Sequence, residues 1–212
     1  MTERNPGEDT GRSRDRRATE ARILEAAQAI LLAAGPGGFG VNVVAREAGV
    51  DKQLIYRYFG GLDGLLEALG IRLAQWWQEK LLETLPEQPA TSYADLIERL
   101  ALRLLHIMRT EPLAQQSLLW ELTGSENFAR SLSASRTRML GDWMARMRGN
   151  LVPPAGIDAS AVNALLIAAS SQIVLAGRNT DTVIGLPAHV PSTWDRIERS
   201  LVQLVRSIYR EV

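Results

Sequence analysis

Side chains that can donate hydrogen bonds cluster on one short segment, residues 51–59, with the sequence DKQLIYRYF. Lys52, Gln53 and Tyr56 share one side of a helix, because helical positions three and four apart are neighbours. Ile55 and Phe59 lie four apart and are expected to point to the interior. The outward set, beside Leu54 and Arg57, has the chemistry to bind phosphates and the edges of bases.

A tight corner precedes this segment and must position it. In VAREAGVDKQLIYRYF, residues 43–58, one helical pattern stops at Gly49 and another resumes at Asp51. Two helices that cross through so short a turn form a helix-turn-helix. Ala45 is small enough for close helix contact, and Gly49 readily takes a positive φ. The corner therefore predicts that the second helix is held on the surface, where it can enter a major groove about 12 Å wide.

These residues resemble a known family. Residues 38–69, GFGVNVVAREAGVDKQLIYRYFGGLDGLLEAL, preceded by ARILEAAQAILLAAG at 21–35, look like the DNA-binding segment of the tetracycline-repressor (TetR) family of bacterial transcriptional regulators. Sequence resemblance covers roughly residues 16–70, and beyond it only the number and order of helices agree. It implies a dimeric, ligand-responsive repressor in which three helices bind DNA and the remaining helices form a ligand pocket and a dimer interface.

With the family come expected roles for single residues. Asn42, Lys52 and Gln53 are expected at base edges, Tyr56 at a phosphate or a thymine methyl, and Arg57 and Tyr58 at the DNA backbone. The whole predicted DNA-binding set is Asn42, Arg46, Lys52, Gln53, Leu54, Tyr56, Arg57 and Tyr58. The alternative for each is a solvated surface residue, and Tyr58 could instead belong to the core.

Four positions depart from the family pattern. Asp51 stands where serine is common; it is a good helix N-cap, worth about 1 kcal/mol, but its charge faces phosphates. Leu54 replaces a frequent threonine, Leu62 a lysine that usually meets a phosphate, and Gly40 a hydroxyl residue. We therefore expect fewer phosphate contacts than usual and a shallow salt dependence of DNA binding.

Composition limits the remaining possibilities. The chain has 212 residues, 46% of them hydrophobic, no cysteine and two histidines, which excludes disulfides and thiolate metal sites. We expect no metal and no other cofactor. Net charge is zero, so a basic surface must be local. No signal peptide is recognised at the N-terminus, and residues 161–177 fall short of about 20 apolar residues, so a cytoplasmic protein without a membrane span is expected.

Helical periodicity recurs along the whole chain and predicts an all-α fold of about nine helices, with no convincing strand. Residues 1–14 are polar and predict a disordered, arginine-containing arm, which either reaches phosphates or is a solvated tail. Residues 15–61 form the predicted helix-turn-helix domain. Residues 62–212 form a helical ligand-binding and dimerisation domain, and a helix from about 62 to 85 connects the two.

The last two helical patterns predict a homodimer. The final helix repeats apolar residues at spacings of three and four, and Ala168–Ser171 before it are small enough for close helix approach. We expect both helices to pair with their copies as a four-helix bundle, which would place two recognition helices about 34 Å apart on a palindrome. Internal core is the alternative. The predicted interface is Val162, Ala169, Ile173, Trp194, Ile197, Leu201, Leu204 and Ile208.

Bulky, adaptable side chains in the C-terminal part favour a pocket for a small apolar or amphipathic effector, with ordinary core as the alternative. The predicted pocket residues are Met108, Trp120, Trp143, Met147 and Gln172. His106 and His189 are expected in solvent, and neither lies in a recognisable catalytic setting, so no enzyme is expected. The predicted function is a ligand-responsive repressor acting through residues 41–59. A helical ligand-binding or adaptor protein with little specific DNA binding is the alternative.

Overall fold

The computed structural model describes residues 6–35, 38–83 and 88–210, with side chains from residue 14 onward. Within these ranges it contains nine helices and one short hairpin, so the predicted all-α fold is confirmed. The helices are α1 (Pro6–Ala34), α2 (Val41–Ala48), α3 (Lys52–Phe59), α4 (Leu62–Leu82), α5 (Tyr93–Thr110), α6 (Pro112–Thr123), α7 (Glu126–Arg148), α8 (Ala159–Gly177) and α9 (Pro191–Ile208).

The sequence did not predict the hairpin, which lies between α8 and α9. Its strands, β1 (Thr182–Val183) and β2 (Leu186–Pro187), are antiparallel and have two residues each. Two residues are too few for the alternation that identifies a strand.

Helix α1 begins earlier than the sequence predicts. A disordered arm was expected over residues 1–14, whereas α1 begins at Pro6; residues 1–5 lie outside the described ranges. Proline is favourable at the first helical position, because its missing N–H would have no acceptor within the helix. Helix propagation also costs little once a packed turn exists, so a polar stretch without an apolar stripe can extend a buried helix.

The described chain divides into two compact units. The first holds the residues up to Leu73 together with Trp120–Ser135, and the second holds Ala74–Leu119 and the residues from Arg136 onward. Each unit therefore joins segments that are far apart in the sequence. Periodicity along one stretch cannot reveal such a division.

The core of the first unit starts from α1. Ile23, Ala27 and Leu31, spaced four apart, are fully buried, as are Val44 of α2 and Ile55 of α3. Helix α4 begins immediately behind α3, where a methyl group at position 64 would clash with the carbonyl oxygen of Phe59. Only glycine fits at position 64, because the two backbones approach so closely there.

In the second unit, α5 supplies the largest share of the buried core, and α4, α6, α7, α8 and α9 pack around it. Helix α5 starts with reciprocal caps: Ser92 Oγ accepts from the Asp95 N–H at 3.1 Å, and Asp95 accepts from the Thr91 N–H at 2.9 Å. Tyr93 meets Tyr209 edge to face at 5.1 Å. The Tyr209 hydroxyl donates to Asn163 Oδ1 at 2.8 Å, which ties the end of α9 to the start of α8.

Candidate nucleic-acid interface

The corner between α2 and α3 has the geometry that its residues predict. Gly49 ends α2 with φ 62°, and its N–H reaches the Arg46 carbonyl oxygen at 3.2 Å. The Val50 N–H donates to the Ala45 carbonyl oxygen at 3.0 Å. Asp51 then caps α3, its carboxylate accepting from the Gln53 N–H at 2.8 Å. These local bonds fix the direction of α3 without help from its surface side chains.

Burial on one side of α3 sets which side chains face water. Ile55 is fully buried. Lys52, Gln53 and Arg57 are exposed, and 56% of the Tyr56 surface is accessible. The Lys52–Tyr56 side of the helix is therefore open, as the periodicity predicts. Phe59, expected inside, is half-buried.

The other predicted DNA-binding residues occupy different surroundings. Asn42 and Arg46 are exposed on α2, and Leu54 is half-buried on α3. Tyr58 is half-buried, and the guanidinium of Arg16 lies 5.2 Å from the centre of its ring. Tyr58 therefore contacts α1 without being part of the buried core, and its contact with DNA stays a prediction.

This surface carries little positive charge, and the cationic side chains of α2 and α3 are not paired with acidic residues among those described. Arg46, Lys52 and Arg57 enter no ion pair within the described part of the chain. Residues 14–61 contain seven lysines and arginines against five aspartates and glutamates. Arg16 is paired with Glu20 at 2.7 Å. Few cations are thus free to neutralise phosphates.

Two of the departures from the family pattern have visible structural effects. Gly40 is the N-cap of α2, and no side chain caps that helix end. Leu62 begins α4 with 36% of its surface exposed, and it cannot donate a hydrogen bond. The helix starts beside α3 therefore lack two side chains that could bind phosphates.

Comparison with known proteins assigns this surface to a family. Residues 23–69, from α1 to α4, match the family model described as bacterial regulatory proteins, tetR family. This segment is a DNA-binding domain of the tetR-family type. It contains the α2–α3 helix-turn-helix.

Other known proteins resemble this chain in sequence or in fold. The HTH-type transcriptional repressor SCO4008 of Streptomyces coelicolor is 34% identical over 109 residues, which cover 51% of this chain and 52% of the relative. The chain thus matches about half the length of that curated relative. The multidrug binding protein EbrR, solved with imidazole, is 18% identical with a TM-score of 0.62 and covers 91% of this chain and 96% of its own.

A further structure, the regulator FadR from Bacillus subtilis in complex with stearoyl-CoA, is 15% identical with a TM-score of 0.59. It covers 87% of this chain and 96% of its own. At such low identity the two structures establish the fold that the chain shares with them.

The predicted pocket residues are only partly brought together. Met108 and Trp143 are buried in the core of the second unit, and Met147 packs against that core. Trp120 is fully buried in the first unit, and Gln172 is exposed on α8. His106 and His189 are exposed, as predicted.

Two indoles in the second core differ in their hydrogen bonding. Trp77 Nε1 donates to Ser117 Oγ at 3.2 Å. Trp143 Nε1 is buried and has no acceptor among the described residues. An unpaired N–H in an apolar core costs about 1–3 kcal/mol, so it is a place where an acceptor would bind favourably.

A single open groove between α8 and α9 collects seven of the eight predicted interface residues. The groove has a volume of about 460 Å³, and 71% of Leu165 and 54% of Leu204 are exposed in it. Leu165 was not predicted, although it follows Val162 by three residues and precedes Ala169 by four, a spacing that could have identified it. Leu201 lines the groove but is 7% exposed, so most of this side chain packs in the core of the single chain.

The eighth residue, Trp194, makes its contacts within the single chain. Its Nε1 donates to the Ala188 carbonyl oxygen at 2.9 Å, and the Arg109 guanidinium lies 4.4 Å from its ring centre. Periodicity placed Trp194 on the same seam as Leu201, but it cannot show which neighbour covers a given turn.

Helix α8 is also long and apolar enough to cross a membrane, by length and composition, and 17% of that window is buried. This is weak evidence, because helices of soluble proteins pass the same test. Exposed apolar side chains such as those of α8 are usually buried against a partner or a membrane.

Proposed function

We propose that this protein is a cytoplasmic homodimeric repressor that binds a palindromic operator through α3 and releases it when a small effector binds. The observation that carries the proposal is the open Lys52–Tyr56 side of α3, held by a turn and a cap that do not use those side chains. A helix exposed in this way can lie in a major groove while its donors meet base edges. Catalysis has no role in the proposal.

Selection of bound sequences from a random DNA pool tests the operator. An enriched palindrome is expected, with half-sites one helical turn apart or a multiple of it. Gln53→Ala should weaken binding by about 1–3 kcal/mol and relax the preference at one base pair, whereas a phosphate contact would weaken all sequences equally. Arg178→Ala, which removes an exposed cation from the second unit, is the matched control and should bind like the wild type. Absence of enrichment would refute operator binding.

The salt dependence of this binding should be shallow, because few cations are free and Gly40 and Leu62 offer no phosphate contact. The slope of log K against log salt measures the number of phosphates neutralised, at about 0.9 per phosphate. A slope that corresponds to ten or more phosphates per dimer would contradict the proposal.

A second copy of the chain is the proposed cover for the α8–α9 groove. Helix α8 carries no charged residue, so the α8 surfaces of two copies can face one another without like-charge repulsion, and Arg196 of α9 is the charged residue that lines the groove. Leu204→Arg would bring a charge into that contact, and sedimentation should show it as a folded monomer. A wild-type chain that stays monomeric at micromolar concentration would refute the dimer.

The proposed effector is an apolar molecule with one hydrogen-bond acceptor, because Trp143 Nε1 is a donor without a partner in an apolar core. Trp143→Phe removes the N–H and keeps an aromatic ring. It should weaken the effector identified by loss of DNA binding about tenfold, or about 1.4 kcal/mol, and leave operator affinity unchanged. Trp77→Phe, whose indole already has Ser117, is the control. Equal effects of both changes would exclude Trp143 as the contact.

A helical adaptor of the same fold is the second candidate, favoured by the negative charge of Asp51 and the apolar Leu54 and Leu62 on the DNA-facing helices. A gel shift with the DNA that flanks the chain's own gene separates the two. Absence of a retarded band at low salt, with folded dimer confirmed, would favour the adaptor.

A further inference from the structure

The turn of the β1–β2 hairpin breaks a local rule. Val183 pairs with Leu186, which leaves Ile184 and Gly185 as a two-residue turn, with φ of 49° and 76°. Positive φ at both positions is typical of a type I′ turn, where Asn-Gly is strongly preferred. A β-branched residue in the left-handed region is a conformational outlier, because its Cβ substituents crowd the backbone. Within the described residues, Ile184 is the only non-glycine residue with positive φ.

The same side chain is almost completely in water. Ile184 is 96% exposed, more than any other large apolar residue among those described. An asparagine would relieve the backbone and avoid the exposed apolar surface. Ile184 is therefore unfavourable in the isolated chain on two independent counts, and such conflicts tend to mark functional positions.

Buried residues and hydrogen bonds hold the hairpin below its tip, which is Ile184. Val183 and Ala188 are buried, and the Ala188 N–H donates to the Asp181 carbonyl oxygen at 2.8 Å. The Ala188 carbonyl oxygen in turn accepts from Trp194 Nε1 at 2.9 Å. Gly177 lies so close that a methyl group there would be 3.2 Å from Ala188 Cβ. The hairpin thus presents Ile184 at a fixed place.

That place adjoins the groove between α8 and α9. Leu186, the residue directly after the turn, lines the groove together with Ile173 of α8 and Ile197 of α9. The exposed apolar surface therefore continues from the helices onto the hairpin. A partner that covers the groove is positioned to reach the tip as well.

We propose that Ile184 is an anchor that packs against the second copy of this chain, and that its unfavourable exposure in the protomer is relieved by dimerisation. The inference rests on the proposed dimer and adds to it a contact outside the two helices. Each dimer contains two such tips. Burial of one isoleucine is worth about tenfold in affinity, so the pair is worth about a hundredfold.

Sedimentation equilibrium of Ile184→Asn tests the anchor. Asparagine suits the turn, so the variant should fold and unfold at a temperature no lower than the wild type under conditions where both are monomers. Its dimer Kd should nevertheless rise about a hundredfold. Val152→Asn changes another exposed residue, 72% accessible in the loop before α8, and should leave the Kd unchanged.

Failure of the anchor and failure of the dimer give different results. If Leu204→Arg is monomeric while Ile184→Asn keeps the wild-type Kd, the anchor alone is refuted. If the wild type is monomeric, or if Leu204→Arg still dimerises normally, the proposed interface falls and the anchor with it.

A chain without cysteine permits a direct second measurement. The single thiol of Ile184→Cys should react with Ellman's reagent at least tenfold more slowly well above the measured dimer Kd of that variant than well below it. Val152→Cys should react at the same rate at both concentrations. Equal rates for Ile184→Cys would refute burial of the tip.

Discussion

Helix α3 and the face made by α8 and α9 are both exposed in the single chain, but they expose opposite chemistry. Lys52, Gln53 and Tyr56 are compatible with water, whereas α8 presents Leu165 and its neighbours without a charge. A polar surface can remain empty at little cost, while a broad apolar one favours a permanent cover. The difference favours reversible binding at α3 and lasting association at α8.

The largest expected effect is a loss of stability in the unit that contains α3. Gly64→Ala places a methyl group against the Phe59 carbonyl oxygen, and a backbone atom cannot move aside as a flexible side chain can. We expect a loss of about 3 kcal/mol in the free energy of unfolding of the first unit, measured by urea denaturation, with dimerisation retained. Gly141→Ala, in open space on α7, is the control and should not destabilise the chain.

A smaller effect breaks the α8 side alone. Leu165→Lys places a charge in the proposed dimer contact and should weaken dimerisation by about 2–3 kcal/mol, measured by sedimentation. Monomer stability should not change, because Leu165 is already 71% exposed. Leu122→Lys replaces an equally accessible leucine on α6. If both variants weakened the dimer alike, the α8 face would not be the interface.

A pH effect sharpens the account of how α8 is held. Burial raises the pKa of Tyr209 from its ordinary value of 10 to about 12. The folded chain therefore keeps this proton where the unfolded chain loses it. The contribution of Tyr209 to the free energy of unfolding is complete below pH 10. It falls by about 2 kcal/mol as pH rises towards 12. Tyr209→Phe should show a smaller loss over that interval; an identical pH profile would contradict the assignment.

Removal of the Tyr56 ring should weaken operator binding by about 1–2 kcal/mol and leave the dimer intact. Tyr56→Ala should also keep the fold, because 56% of the Tyr56 surface is accessible to solvent. Fluorescence anisotropy with labelled operator measures the change. Unaltered affinity would remove Tyr56 from the binding surface.

The smallest expected effect is a gain. Asp51→Asn keeps an oxygen for the cap on Gln53 N–H and removes a charge that would face phosphates in the proposed DNA complex. Operator affinity should rise by less than about 1 kcal/mol at low salt, and the gain should shrink as salt is added. A loss of affinity would show that the carboxylate contacts DNA favourably.

Local rules predicted the α2–α3 corner well, because the residues that shape it are adjacent in the sequence. Gly49 needs only its own φ, Asp51 caps a residue two positions away, and Ile55 follows the helical period. The resemblance to the TetR family rested on the same segment, and it is confirmed.

Long-range packing limited the rest. Trp120 and Met108 looked alike in the sequence, yet they belong to different units. Trp194 and Leu204 share a helical seam, yet one packs inside the protomer and the other is 54% exposed. The hairpin at Ile184 escaped prediction, because a two-residue turn with isoleucine has none of the usual turn signals.

Absence of charge on α8 has a consequence for the choice of subunit. Bacterial cells can hold several regulators of one fold, and charge repulsion is a common means of keeping related chains apart. Nothing on α8 supplies such repulsion. In the proposed dimer, discrimination against foreign subunits would then depend on Arg196 of α9, which lines the same groove, and on the fit of small residues such as Ala169 against bulky ones. A chain with a complementary surface would be accepted as a mixed partner.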